Sequence, residues 1–189
     1  MKYKFIVVEG FDGSGKSTIA KWLADTMGYE YHKTPMGIFA KLRSHFDQED
    51  SNLQERYCFY AADCMRASLY IQEQLNKGQP IVLDRYYYST ISYHESKQPG
   101  ISKLLPGIFQ PLLKPDLILY IKTNYQLTLK RMQQRQNLAD DELFLTEEHY
   151  DKIHQTFLQL FDVQHMVVDN TASLEESCEL VKKTLTASG

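Results

Sequence analysis

Apolar residues along the chain form two patterns that alternate. Short apolar runs at residues 3–8, 80–84, 116–121 and 165–169 read as strands, as does a weaker run within residues 28–35 that Pro35 stops. Apart from Lys4, the run at 3–8 is apolar at successive positions, the mark of a strand buried on both faces of a parallel sheet. Between the runs, apolar residues recur every three or four positions, which lays them along one face of a helix. Ile19, Ala20, Trp22, Leu23 and Met27 predict a first helix, and residues 36–46 a short second one. Leu53, Tyr57, Tyr60, Cys64, Ala67, Ile71 and Leu75 predict a long helix, capped by Asp50-Ser51-Asn52 and stopped by Gly78. Further helices are expected to open at Tyr86-Tyr87-Tyr88-Ser89-Thr90, near Gln126, after Thr146 and from Ser173. Strand and helix alternate without a repeat, a low-complexity tract or a linker. The expectation is a doubly wound α/β fold forming one domain over residues 1–189.

Composition narrows the partners. With 43% hydrophobic and 24% charged residues the chain has ordinary globular composition, and its net charge of −3 argues against a nucleic-acid surface or a polybasic membrane patch. No apolar stretch approaches a membrane span, and with the first strand expected so near residue 1 no signal peptide is expected. Cys58, Cys64 and Cys178 lack metal-ligand spacing and are odd in number, so they are expected to be reduced thiols of a cytoplasmic protein. The 13 tyrosines are expected to line the core and a cleft.

The strongest chemical signal lies between the first strand and the first helix. Gly10-Phe11-Asp12-Gly13-Ser14-Gly15-Lys16-Ser17-Thr18 fits G-x-x-x-x-G-K-[ST] in the strand–loop–helix context that the motif requires. Glycines let such a loop aim backbone N–H groups at phosphate oxygens, and the helix N-terminus adds partial positive charge. Lys16 is then expected to neutralise the β- and γ-phosphates of a nucleoside triphosphate, and Ser17 to hold Mg²⁺ through its hydroxyl.

Other candidates cluster at strand ends. The run at 80–84 ends in Asp84, followed by Arg85, where ligands bind beyond the carboxyl ends of parallel strands. Asp84 is a second candidate for Mg²⁺, and Tyr93 falls near the same edge. On the long helix Tyr60 and Cys64 stack one turn apart, Arg56 precedes Tyr60 on that side, and Arg66 points elsewhere. Lys41 and Arg43 are either a solvated face or cations for a second anionic substrate. The polar stretch 136–142 is either a plain loop or a lid whose preceding arginines, Arg131 and Arg135, close over phosphates.

Residues 9–18, together with Asp84-Arg85-Tyr86 and Lys114-Pro115-Asp116-Leu117, resemble the thymidylate kinase family of P-loop nucleoside monophosphate kinases, and the likeness extends over essentially the whole chain. Residues 57–93 are also similar to the thymidylate-kinase-like domain of the vertebrate mitochondrial UMP-CMP kinase. The resemblance implies a three-layer P-loop fold, with a five-stranded parallel sheet in the order 2-3-1-4-5, flanking helices and a lid at about 131–145, often as a homodimer. It implies transfer of phosphate from ATP, with Mg²⁺, to a nucleoside monophosphate, dTMP foremost. In that picture Asp12 contacts the acceptor sugar, Arg85 grips its phosphate, Tyr60 stacks on its base and Tyr93 lies by the sugar. The P-loop carries no arginine, which assigns the transition-state cation to Arg131 and Arg135. Two positions depart from the family. Lys33-Thr34-Pro35 stands for Arg-Glu-Pro, and Cys64 replaces the arginine that reads thymine. The alternatives are the same chemistry on dUMP, dCMP or another monophosphate, or a non-catalytic ATP-binding regulator.

Overall fold

The computed structural model describes residues 2–48, 52–134 and 146–186. Strands β1 (Phe5–Gly10), β2 (Glu30–Lys33), β3 (Ile81–Asp84), β4 (Leu117–Lys122) and β5 (His165–Asp169) form one parallel sheet in the order β2-β3-β1-β4-β5. This is the expected strand order. β1 lies at the centre, and chain connections leave to opposite sides of it, so a crevice opens at its carboxyl end.

Alternation along the strands builds two cores. Phe5 and Val7 of β1 pack on one face with Ile81, Leu83, Ile118 and Tyr120. Ile6 and Val8 pack on the other with Val82, Leu117, Leu119 and Ile121. The second face is covered by α1 (Lys16–Met27), through Ile19 and Leu23, and by the C-terminal helix Leu174–Thr186, through Val181. The first face is covered by α3 (Leu53–Asn76), α4 (Tyr87–Lys97) and α6 (Glu147–Leu160), through Tyr57, Ala67, Ile71, Tyr88, Ile153 and Phe157. Two shorter helices, α2 (Ile38–Phe46) and α5 (Tyr125–Gln133), lie at the carboxyl edge of the sheet. With the C-terminal helix as α7, the layers are helix, sheet and helix.

Among the described residues, four helix starts carry an N-capping side chain. Asn52 accepts from Gln54 N and Glu55 N, Asn124 from Leu127 N, Thr146 from His149 N and Ser173 Oγ from Glu176 N. Asp50 and Ser51, expected to share the first of these caps, lie outside the described residues.

Two differences from the sequence expectation have local causes. β1 runs two residues later than the apolar stretch 3–8. The amides of Lys4 and Phe5 donate to the Asp116 carboxylate, while Glu9 and Gly10 extend the ladder against Tyr120 and Ile121. On α3, Phe59, Asp63 and Ser68 are buried although the expected stripe omitted them. The helix is covered from the side as well as from below, since Phe46 of α2 stacks on Phe59 and Phe39 packs tilted against it.

Candidate active site

The P-loop is held from behind by residues remote in sequence. Gly10 has φ +150°, and a Cβ there would strike the Ile121 carbonyl and come within 2.8 Å of Ser14 Oγ. At Gly15, φ +92°, a Cβ would run into the amide nitrogen of Asn170. That nitrogen donates to Ser14 O at 2.8 Å, and Ser177 Oγ fixes the amide by donating to its oxygen at 3.0 Å. Arg131, on α5, donates to the carbonyls of Gly13 and Ser14 at 3.3 and 3.5 Å and to Asn170 O at 3.4 Å. The carbonyls of Gly13 and Ser14 are thus turned outward to these donors.

Lys16 is 3% exposed, and its ammonium donates to Phe11 O at 3.3 Å and pairs with Asp12 at 3.0 Å. Burial, with the nearby Arg85 cation, pushes its pKa down. Ser17 Oγ donates to Asp84 Oδ2, which also accepts from Tyr31 Oη at 3.1 Å and faces Lys33 Nζ at 3.9 Å. Asp84 is fully buried, and its Oδ1 has no hydrogen-bond partner among the described residues. Thr18 is exposed on the first turn of α1.

Arg85 joins the loop to the neighbouring cavity. Its backbone is left-handed, φ 72°, a conformation that costs a non-glycine residue about 1 kcal/mol or more. Its N–H donates to Val8 O at 3.0 Å and its carbonyl accepts from Thr34 Oγ1 at 3.0 Å. The turn aims its guanidinium at Asp12, over the ring of Tyr93 at 5.2 Å, with Ser89 Oγ accepting at 3.2 Å. Burial alone would raise the Asp12 carboxyl, but Arg85 and Lys16 hold it well below the usual range. Tyr93 Oη accepts from Asp12 N at 3.1 Å.

Glu9 ties these parts together. It is fully buried at the end of β1 and accepts from Tyr86 N at 2.8 Å, Ser89 N at 3.2 Å and Ser89 Oγ at 2.5 Å. It therefore caps the start of α4, directly after Arg85. Burial outweighs these donors and raises its pKa to about 7.

The cavity has a volume of about 620 Å³. Asp12, Arg85 and Tyr93 line one end, together with Phe11 and Ser89. Elsewhere its wall carries a polar cluster centred on Asp47, the residue after α2. Asp47 accepts from Arg43 Nε at 2.7 Å, Arg56 at 3.4 Å and Tyr60 Oη at 2.7 Å, and all four residues line the cavity. His94 and Thr90 of α4 line it as well.

The expected site residues therefore separate into groups. Gly10, Asp12, Gly13, Ser14, Gly15, Lys16, Ser17, Asp84, Arg85, Tyr93 and Arg131 gather around the loop and its junction with the cavity. Tyr60 lines the cavity, as do Arg43 and Arg56, whereas Arg66 is exposed and absent from it. Cys64, expected among the acceptor contacts, lies behind the wall. It is 1% exposed, its sulfur is 3.6 Å from Thr90 Oγ1, and Thr90 is the residue that faces the cavity. A cysteine side chain is too short to reach past the α4 residue in front of it. Arg135 and the lid segment 135–145 lie outside the described residues, while residues 131–133 belong to α5.

Sequence reading overlooked Asn170, Asp47, Thr90 and His94. Asn170 had a signal, since it directly follows the carboxyl end of a strand. Asp47 had a weak one in its four-residue spacing from Arg43. Thr90 and His94, on the expected fourth helix, had none.

Comparison with known proteins bears on the family and the fold. The thymidylate kinase family model matches residues 8–181. The thymidylate kinase of Brachyspira hyodysenteriae is 30% identical, over 98% of this chain and 94% of its own length. Among solved structures, thymidylate kinase from Candida albicans superposes with a TM-score of 0.77 at 24% identity, covering 99% of this chain and 93% of that one. Deoxyadenosine kinase from M. mycoides superposes with a TM-score of 0.70 at 17% identity, covering 96% and 99%. The fold is therefore that of the P-loop nucleoside and nucleotide kinases, and the chain belongs to the thymidylate kinase family of nucleoside monophosphate kinases.

Proposed function

We propose that the protein transfers the γ-phosphoryl group of ATP to dTMP. The observation that carries this reading is the junction at Asp12 and Arg85. There a phosphate-binding loop and a cavity large enough for a mononucleotide share two side chains, one of them a guanidinium. In-line transfer between two phosphates needs positioning and charge more than covalent chemistry.

Each residue then has a role that follows from its type. The loop amides and Lys16 hold the β- and γ-phosphates of the donor. Arg85, a planar donor on a constrained backbone, grips the acceptor phosphate. Asp12 orients Lys16 and Arg85 and faces the acceptor sugar beside Tyr93. Tyr60 stacks on the base, Arg131 braces the loop through its carbonyls, and Arg135 brings positive charge to the transferring group. No general base is required, because the attacking phosphate is already an anion. Ser17 and Asp84 fit a hard divalent cation. Their oxygens are adjacent, and the buried Asp84 Oδ1 is unpartnered among the described residues. Mg²⁺ bound there supplies neutralising charge to the donor phosphates.

A second acceptor has one observation in its favour. Cys64 contributes nothing to the cavity wall, so base reading falls to other residues, and dUMP or dCMP stay in the comparison. A panel of monophosphates in a coupled ADP-release assay tests both readings. The expected result is highest kcat/KM with dTMP. Preference for another monophosphate replaces dTMP, and no transfer to any acceptor overturns the kinase reading.

Self-association completes the proposal. Cys58, Ala62, Met65 and Leu69 are exposed on α3 at steps of four, three and four, the seam spacing of paired helices, with Leu69 70% exposed. A seam along one helix suits a two-fold contact with a second copy. Leu69→Glu is expected to convert a dimer to a monomer in sedimentation experiments, and a wild-type monomer would remove the proposal.

A further inference from the structure

His94 is a buried polar side chain in the cavity wall that the reading above does not use. It is 6% exposed, sits on α4 one residue after Tyr93, and packs edge-on to the rings of Tyr57 and Tyr60 at 5.3 and 5.8 Å. Its Nδ1 lies 2.7 Å from the carbonyl oxygen of Thr90. A carbonyl only accepts, so Nδ1 carries the proton, and in the neutral ring Nε2 is left as an acceptor. Burial, with the cations Arg56 and Lys97 nearby, pushes the pKa down to about 4, which keeps the ring neutral under ordinary conditions. Nε2 is buried and has no hydrogen-bond partner among the described residues. Such unmet acceptors are rare in folded proteins and call for a partner.

The polar groups joined to Tyr60 through Asp47 are committed or of opposite character. Asp47 is engaged by Arg43, Arg56 and Tyr60, and the two arginines only donate. His94 therefore offers acceptor capacity beside Tyr60, the side chain assigned to stack on the base.

We propose that His94 reads the acceptor base, its Nε2 accepting a hydrogen bond from an N–H on the pairing edge, which in dTMP is the N3–H. The inference rests on the dTMP kinase reading and adds to it the group that recognises thymine where Cys64 does not reach. A pyrimidine whose N–H is blocked leaves the acceptor unmet and is rejected, because a site built around one hydrogen bond discriminates strongly against a ligand that lacks it.

The test is a cycle between a residue and an atom of the substrate. Steady-state kinetics are measured for wild type, His94→Ala and His94→Gln with dTMP and with N3-methyl-dTMP, after thermal melts show that each variant folds. In wild type, N3-methylation is expected to lower kcat/KM by about 100-fold or more, and in His94→Ala by about tenfold or less. With dTMP, His94→Ala is expected to raise the acceptor KM by about 10- to 100-fold, with kcat changed by less than about threefold and the KM for ATP unchanged. His94→Gln, whose amide oxygen also accepts, is expected to recover most of the loss. A methylation penalty equal in wild type and His94→Ala overturns the proposal, as does a glutamine variant that folds and recovers nothing. Where the wild-type panel selects another pyrimidine, the dTMP reading has failed separately, and the same cycle is run with that nucleotide and its N-methylated form. Wild type without activity on any acceptor overturns both.

Discussion

The phosphate loop and the cavity beside it are built in opposite ways. The loop motif is nine consecutive residues running from the end of β1 into the first turn of α1, and its chemistry comes from glycines, a helix N-terminus and one lysine, with Arg131 and Asn170 bracing it from behind. The cavity has no continuous segment. Its wall combines the end of α2, one face of α3, the turn after β3, one face of α4 and the start of α6. A local site needs a short run of correct residues, whereas an assembled one needs the packing of the whole first core to be right. Glu9 connects the two, since it belongs to the loop's own strand yet caps the helix that bears Tyr93, Thr90 and His94.

Four measurements break or sharpen that comparison. The largest effect is expected at the loop. Lys16→Ala removes its principal cation and is expected to lower kcat by about 100- to 1,000-fold, with the melting temperature barely reduced. Near-normal turnover would take the loop out of the chemistry. Next comes the shared arginine. Arg85→Lys keeps the charge but loses the fork, and the acceptor KM is expected to rise about 10- to 100-fold while the KM for ATP changes little. Equal rises in both would mean that Arg85 belongs to the donor side.

The third measurement addresses the connection through Glu9. Its folded pKa, about 7, lies above its ordinary value of 4.5, so the folded protein binds this proton more tightly than the unfolded chain. The stability it contributes is complete below about pH 4.5 and is lost as pH rises through 7. Over that interval the loss amounts to about 3 kcal/mol, and because Glu9 is fully buried it is not reduced by solvent screening. His94 acts in the opposite sense, its contribution being lost as pH falls from 6.5 through its folded value of about 4. Comparing urea titrations of wild type and Glu9→Gln at pH 5 and pH 8 cancels the histidine. The variant is expected to gain stability relative to wild type at the higher pH, and parallel pH profiles would show that Glu9 stays ionised.

The smallest effect is expected at Cys64. Since the residue lies behind Thr90, Cys64→Ala is expected to cost about 1 kcal/mol of stability and to leave the ratio of kcat/KM between dTMP and dCMP within about threefold. A larger change in that ratio would return Cys64 to the acceptor site.

Much of the fold was legible because its signals are local. The strand runs, the caps at Asn52 and Thr146, and the loop motif each depend on residues within one turn or one strand of each other. β1 shows the limit. Its apolar run was plain, but its start was moved by Asp116, more than a hundred residues away, whose carboxylate takes the amides of Lys4 and Phe5.

By itself, the sequence determined that this is an α/β protein with a P-loop motif, an Asp84-Arg85 pair at a strand end and a long amphipathic helix bearing Tyr60. Only the tertiary structure decided what those residues meet. It brought Asn170 against Ser14, gathered Arg43, Arg56 and Tyr60 around Asp47, set Thr90 in front of Cys64 and put His94 in a cavity wall with its Nε2 buried and without a partner among the described residues. The physical reason is that periodicity states which side of a helix is buried but not which neighbour covers it. A hydrogen bond between side chains on different elements depends on rotation and offset, which the packing of those elements sets.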